Sequence, residues 1–244
     1  MKTKSEYGFI IKIKQFPEAD KLVVFLTRKH GNVETVAKGV GKSSSRRVSS
    51  IDLLNHTRFT YYETKNIDLL REVQVLNDYQ DIKQDKNIVN HLLYVLEIIE
   101  KLNSTSEDEI QAYNLVYDLL ELTSSNKNNF LQLLSSFELK LLDLTGFTPN
   151  VINYIKTGDP ILENQTRILS IGNELGYNLT KSDTRAKIIS DKVLKIQKYY
   201  LENRLSDSMK LRVDAETQKL ISYINRYWIE NTIEKRLKSS TLIN

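Results

Sequence analysis

His56 to Glu63 reads H-T-R-F-T-Y-Y-E. Thr57, Phe59 and Tyr61 alternate with Arg58, Thr60 and Tyr62, a period of two that sends one set of side chains into a core and leaves the other outside. That is a half-buried β-strand. Leu69 to Leu76 follows as a further strand, with Leu70 succeeded by Arg71 and Glu72. Upstream, Val36 to Arg47 reads V-A-K-G-V-G-K-S-S-S-R-R, where a strand gives way at Gly39 and Gly41 to a basic arm. Lys38, Lys42, Arg46 and Arg47 stand there with three serines and no carboxylate. Cations, hydroxyls and backbone N–H groups of this kind suit a phosphate backbone, and none of them reads a base. Gly41-Lys42-Ser43 does not complete a Walker loop, because G-x-x-x-x-G-K-[ST] needs glycine where Val36 stands.

Three more apolar runs precede the arm. Phe9, Ile11 and Ile13 alternate with Ile10, Lys12 and Lys14, which predicts one buried face and one cationic face. Phe16-Pro17-Glu18-Ala19-Asp20 makes a polar turn into Leu22–Thr27, and Lys29-His30-Gly31-Asn32 supplies hairpin turn chemistry into Val33–Val40. His30 is expected as a turn residue. Five strands in about 70 residues predict a small closed antiparallel barrel of the OB type, although periodicity alone does not separate it from an SH3-like barrel.

Between Asp78 and Lys86 the period changes from two to 3.6. The prediction is an α+β chain, an OB-type barrel over residues 1–80 followed by an all-α domain over residues 81–244. Apolar stripes recur at Val89, Leu92, Leu96 and Ile99, and at Tyr113, Val116 and Leu120. A third helix, Asn128 to Thr145, should stop at Gly146 with Pro149 beyond. Residues 150–183 read as loops around short elements. Helices are expected again from Thr184 to Leu205 and from about Asp214 to Lys238, the last closing with cations in its final turn.

Charge is divided along the chain. Residues 1–50 hold 11 Lys+Arg against 4 Asp+Glu (+7), residues 51–180 hold 10 against 19 (−9), and residues 181–244 hold 14 against 8 (+6). Basic ends should meet a polyanion. With no cysteine and only His30, His56 and His91 as imidazoles, neither a disulfide framework nor a thiolate metal site is expected. No apolar run reaches membrane-spanning length and the polar start lacks a signal-peptide core, so a cytoplasmic protein is expected. Carboxylates occur singly among helices, and there is no G-x-S-x-G or nucleophile–histidine pairing, so no enzyme is expected.

Three segments in order then resemble a known family. F-I-I-K…F-P-E-A-D-K-L-V-V-F-L-T-R-K-H-G…V-A-K-G-V-G-K looks like the OB domain of the RecO family of bacterial recombination mediators. F-E-L-K-L-L-D-L-T-G-F-T-P (Phe137–Pro149) resembles its central helix, and R-Y-W-I-E-N-T-I-E-K-R-L-K-S (Arg226–Ser239) its last helix. The resemblance implies a DNA repair and homologous recombination mediator without cofactor. Such a protein binds single- and double-stranded DNA, anneals complementary strands, works with RecR, touches the C-terminal tail of single-strand-binding protein, and so helps load RecA. Lys38, Lys42, Arg46 and Arg47 match the family's basic segment and inherit DNA contact, with Lys12, Arg58, Arg226, Lys235, Arg236 and Lys238 as further DNA-binding candidates. The four-cysteine zinc module of many members is missing here. The basic pair that some members place before F-E-L is Ser135-Ser136, which leaves Phe130, Leu134 and Phe137 as lining for a tail pocket or as ordinary core.

Without bond chemistry, annealing needs a surface that holds two strands by their phosphates. Base stacking would add to it if Phe59, Tyr61 or Tyr62 faced outward. An RNA-binding OB module and a protein-only adaptor working through the acidic helices are the alternatives.

Overall fold

β1 (Lys2–Phe16), β2 (Asp20–Thr27), β3 (Gly31–Ala37), β4 (His56–Glu63) and β5 (Asp68–Asn77) close into a barrel in the order β1-β2-β3-β5-β4, with β4 pairing back onto β1. Neighbours are antiparallel except β3 and β5, which meet in parallel at Thr35–Asp68 and Val36–Leu69. The barrel is OB-type. The computed structural model describes residues 2–40, 50–102, 105–147, 167–169, 175–177 and 187–243.

β4 follows its sequence pattern: Thr57, Phe59 and Tyr61 are buried and Arg58 is exposed. Phe59 lies face to face with Phe25 at 3.8 Å between centroids, and Ile10, Val23, Val33 and Leu70 complete the interior. β1 departs from its predicted alternation, since Phe9, Ile10 and Ile11 are all buried. Ile10 is the inward residue. Phe9 faces out, stacked on His56 at 4.6 Å and against Tyr113 at 5.2 Å, so a residue on the outer face is buried by a helix rather than by the barrel. The register shifts between Ile10 and Lys12, where Ile10 accepts from Leu54 N at 2.8 Å and donates to Asn55 O at 3.1 Å, and the shift brings Ile13 to the core side.

The helices are α1 (Gln80–Lys83), α2 (Lys86–Leu102), α3 (Ser106–Ser125), α4 (Phe130–Leu144), α5 (Asp191–Glu202) and α6 (Ala215–Ile233). Glu107, Asp108 and Glu109 occupy the first turn of α3, where the helix dipole favours them. α4 ends as predicted: Gly146 has φ +79° and donates to Asp143 O at 3.1 Å, and Phe147 N reaches back to Leu142 O at 2.8 Å. The stretch read as loops holds β6 (Arg167–Leu169) and β7 (Leu175–Tyr177), which form an antiparallel sheet in the order β7-β6-β8 with β8 (Lys187–Ile189), a strand where a helix was expected. The helix expected from Thr184 therefore starts only at Asp191. Ser190 Oγ caps it through Val193 N at 3.4 Å.

By packing, the chain forms two compact units, Met1–Leu120 with Ser239–Asn244, and Glu121–Lys238. In the first, the barrel carries α2 and most of α3. Glu109 takes Asn32 N at 2.8 Å and Asn32 Nδ2 at 2.5 Å, and Ser239 N and Oγ both donate to Glu97 of α2, at 2.8 and 2.6 Å. In the second, α4 packs against α5 and α6. No helix among the described residues is long and apolar enough to cross a membrane.

Candidate nucleic-acid interface

The described residues on either side of the basic arm are held by the barrel and by α1. Lys38 is exposed in the turn leaving β3; beside it Gly39 N donates to Asp20 Oδ1 at 2.8 Å and Val40 is buried. On the far side Ile51 and Leu54 are buried, and Lys83 Nζ ties Asn55 Oδ1 at 2.7 Å and Asp52 at 3.2 Å. Lys42, Arg46 and Arg47 lie outside the described residues.

The other sequence-predicted cations differ in what they have left to offer. Lys12 donates a hydrogen bond to Glu100 of α2, which raises the pKa of its ammonium and pairs its charge with a carboxylate. Arg58 is exposed on the outer face of β4. Arg226, in the second unit, is half-buried in α6. Lys235, Arg236 and Lys238 are exposed, yet they do not occupy the last turn of the helix as predicted. α6 stops at Ile233, because Glu234 turns left-handed (φ +55°) and returns its N–H to Asn231 O. Lys235 and Arg236 line an open hollow together with Glu230, Asn231 and Glu234, so two carboxylates share the field of these two cations.

Phe130, Leu134 and Phe137 are 4%, 3% and 0% exposed. They fill the core under α4 and present no apolar lining to solvent. Ser135 and Ser136 are buried as well: Ser136 Oγ donates to Tyr200 O at 3.2 Å, and Ser135 Oγ accepts from Gln218 Nε2 at 2.9 Å. Of the aromatic residues weighed for stacking, Phe59 and Tyr61 point into the barrel. Tyr62 faces out, with Arg71 Cζ 5.7 Å from its ring centroid.

Two residues with no place in the sequence reading stand beside Arg58. Tyr7 is its register partner on β1, and Arg28, at the tip of the β2–β3 hairpin, donates its N–H to Tyr7 O at 3.1 Å. Both are exposed. Glu6-Tyr7-Gly8 interrupts the apolar alternation that marks β1, and that is why the strand was legible only from Phe9 onward. At the edge of this patch the Tyr113 hydroxyl meets His56 Nε2 at 2.9 Å; burial pushes its pKa up, and the Arg28 guanidinium pulls against that shift. His30, in the same hairpin, pairs Nδ1 with Glu6 at 2.9 Å. No group of three or more His, Asp or Glu among the described residues could hold a metal ion.

The architecture thus defines a class: an OB-type barrel continued by helices, with cations carried on one barrel loop and on its outer face. Residues 1–79 match the family model "Recombination protein O N terminal", and residues 85–241 match "Recombination protein O C terminal". Relatives named DNA repair protein RecO include that of Symbiobacterium thermophilum, 25% identical over 240 residues, covering 97% of this chain and 95% of the relative. The namesake in Acetivibrio thermocellus is 21% identical over 228 residues, covering 93% and 91%. That of Listeria monocytogenes is 27% identical over 145 residues, covering 59% and 56%. The chain belongs to the RecO family of DNA repair and recombination proteins.

Proposed function

We propose that this protein is a cytoplasmic, non-enzymatic recombination mediator that binds single- and double-stranded DNA and anneals complementary strands. It works with RecR and, through single-strand-binding protein, helps RecA load on coated gaps. The observation that carries the reading is an OB-type barrel whose β3–β4 connection holds Lys38, Lys42, Arg46 and Arg47 and no carboxylate between them. A loop of that composition lets two strands approach one surface by offsetting their mutual repulsion, and needs no cofactor to do so. We take residues 1–80 as the DNA-binding module and residues 81–244 as the helical module.

Within this reading the cations rank by what already holds them. Lys38 and Arg58, which are exposed, are main contacts, and the sequence of the arm adds Lys42, Arg46 and Arg47. Lys12, bound to Glu100, and Lys235 and Arg236, beside Glu230 and Glu234, contribute less. A tail contact with single-strand-binding protein has no open pocket at Phe130, Leu134 and Phe137 to use.

The test is annealing of complementary labelled oligonucleotides by the purified chain with chelator and without nucleotide, on bare strands and on strands coated with single-strand-binding protein. Acceleration on both is expected. Acceleration on bare strands alone removes the tail contact, and no acceleration on either removes the annealing role.

A further inference from the structure

The outer face of the barrel carries an exposed aromatic residue, Tyr7, whose backbone neighbours on either side are exposed arginines. β1 lies between β2 and β4: Arg58 of β4 is the register partner of Tyr7, and Arg28, the first residue after β2, donates its N–H to Tyr7 O at 3.1 Å. Residues directly opposite on paired strands point to the same side, with Cβ atoms about 5 Å apart. The inward alternates confirm the side, since Thr27 and Thr57 are both fully buried. Tyr7 is 43% exposed, and no ring or cation is stacked on it among the described residues. Neither arginine has an ion-pair partner among them. The one carboxylate adjacent to Tyr7 in sequence, Glu6, points inward and is engaged by His30.

We infer that Tyr7, Arg28 and Arg58 form a nucleotide subsite in which an unpaired base stacks on the Tyr7 ring and its flanking phosphates meet the two guanidiniums. The inference rests on the DNA-binding reading and adds to it a preference for single strands. A base offers its face to a side chain only when it is free of a duplex stack, whereas phosphate contacts serve both forms alike. The surroundings favour a nucleotide over a protein partner. A protein hot spot would set Tyr7 in an accessible apolar ring, but of the pairs flanking it on this face Ser5 and Thr60 are polar, and Phe9, paired with His56, is fully buried under Tyr113. Two planar guanidiniums without carboxylates suit phosphate oxygens. The pattern recurs about 13 Å along β4, four residues on at strand rise, where Tyr62 faces the same way beside Arg71. A strand running along β4 meets both rings.

The experiment uses the full chain and measures affinity for oligothymidylate of about 20 nucleotides and for a duplex of equal length, across a salt series. Tyr7→Ala is expected to weaken single-strand binding about 5- to 150-fold, the range found for one base-stacking aromatic, and to leave duplex binding within about twofold. Tyr7→Phe, which keeps the ring, is expected to bind like the wild type and shows that the strand still forms. Arg28→Ala with Arg58→Ala is expected to flatten the single-strand log–log salt slope by about 1.4, two phosphates at about 0.7 each. A folded Tyr7→Ala protein that binds oligothymidylate like the wild type overturns the subsite, and so does an equal loss for single strand and duplex. If Tyr7→Ala spares both yet abolishes annealing on coated strands, this face is a protein contact and the inference is wrong. A wild type that binds no nucleic acid overturns the DNA-binding reading itself, a failure distinct from any of these.

Discussion

Gly31 shows how one residue couples the hairpin to the helix above it. Its φ is +67°, a conformation that L side chains rarely adopt, and a Cβ there would stand 2.2 Å from Glu109 Oε2. Glu109 is the carboxylate that clamps Asn32, so Gly31→Ala combines backbone strain with displacement of that clamp. Chemical denaturation is expected to show a loss of about 1–3 kcal/mol for this variant. Lys29-His30-Gly31-Asn32 was legible as a turn, but its tie to α3 was not, since the two partners are 77 positions apart. Asp214 carries a pH signature. It caps α6 through Thr217 N at 2.8 Å and pairs with Lys192 at 2.5 Å, and these bonds hold its carboxyl far below the usual carboxylate range. A depressed folded pKa stabilises fully above the unfolded value, near about 3.9, and the gain is lost as pH falls from there through the folded value. Asp214→Ala should therefore melt at a lower temperature than the wild type at pH 7, with the gap closing in strong acid; a gap independent of pH would show that the charge plays no part.

Among the elements, α4, α5 and α6 are joined by a buried polar hub whose centre is Asn225. Its Nδ2 donates to Ser135 O and to Glu138 Oε2, each at 3.0 Å, and its Oδ1 accepts from Gln197 Nε2 at 3.1 Å. Asn225→Leu keeps the volume but withdraws a donor from a buried carboxylate, and a loss of about 2–4 kcal/mol in urea unfolding is expected. Here the limits of periodicity are visible. The leucine stripes of α4 located the helix, while Ser135, Ser136 and Asn225 sit in the same core and break the apolar pattern. β4 was legible residue by residue because the barrel alone buries one face of it. β1 was not, because Phe9 is covered by Tyr113 and His56. The end of α6 was missed because no glycine or proline marks it; Glu234 itself takes the left-handed turn. For the arm between β3 and β4, changing Lys42, Arg46 and Arg47 to alanine is expected to flatten the single-strand salt slope by about 2, while the melting temperature stays near that of the wild type.

Over the whole molecule, charge is the property that sequence and fold share. Residues 2–37 of the basic first 50 form β1 to β3, so their excess of cations is carried on one small domain. Arg28 and Arg58 stand unpaired there among the described residues, whereas Lys12 is spent on Glu100. The acidic middle supplies that carboxylate as well as Glu109 and Glu97, which tie α3 to the hairpin and the Ser239 segment to α2. Part of the negative charge is thus consumed internally, while Lys4 and Lys12 of the barrel are paired with Glu63 and Glu100. If the barrel surface holds DNA by its phosphates, the affinity of the full chain for a single-stranded oligonucleotide falls as monovalent salt is raised. If about six phosphates are neutralised, log affinity falls against log salt with a slope of about −4. Binding that is absent at low salt, or that holds constant as salt rises, would rule out a phosphate-binding surface on this protein.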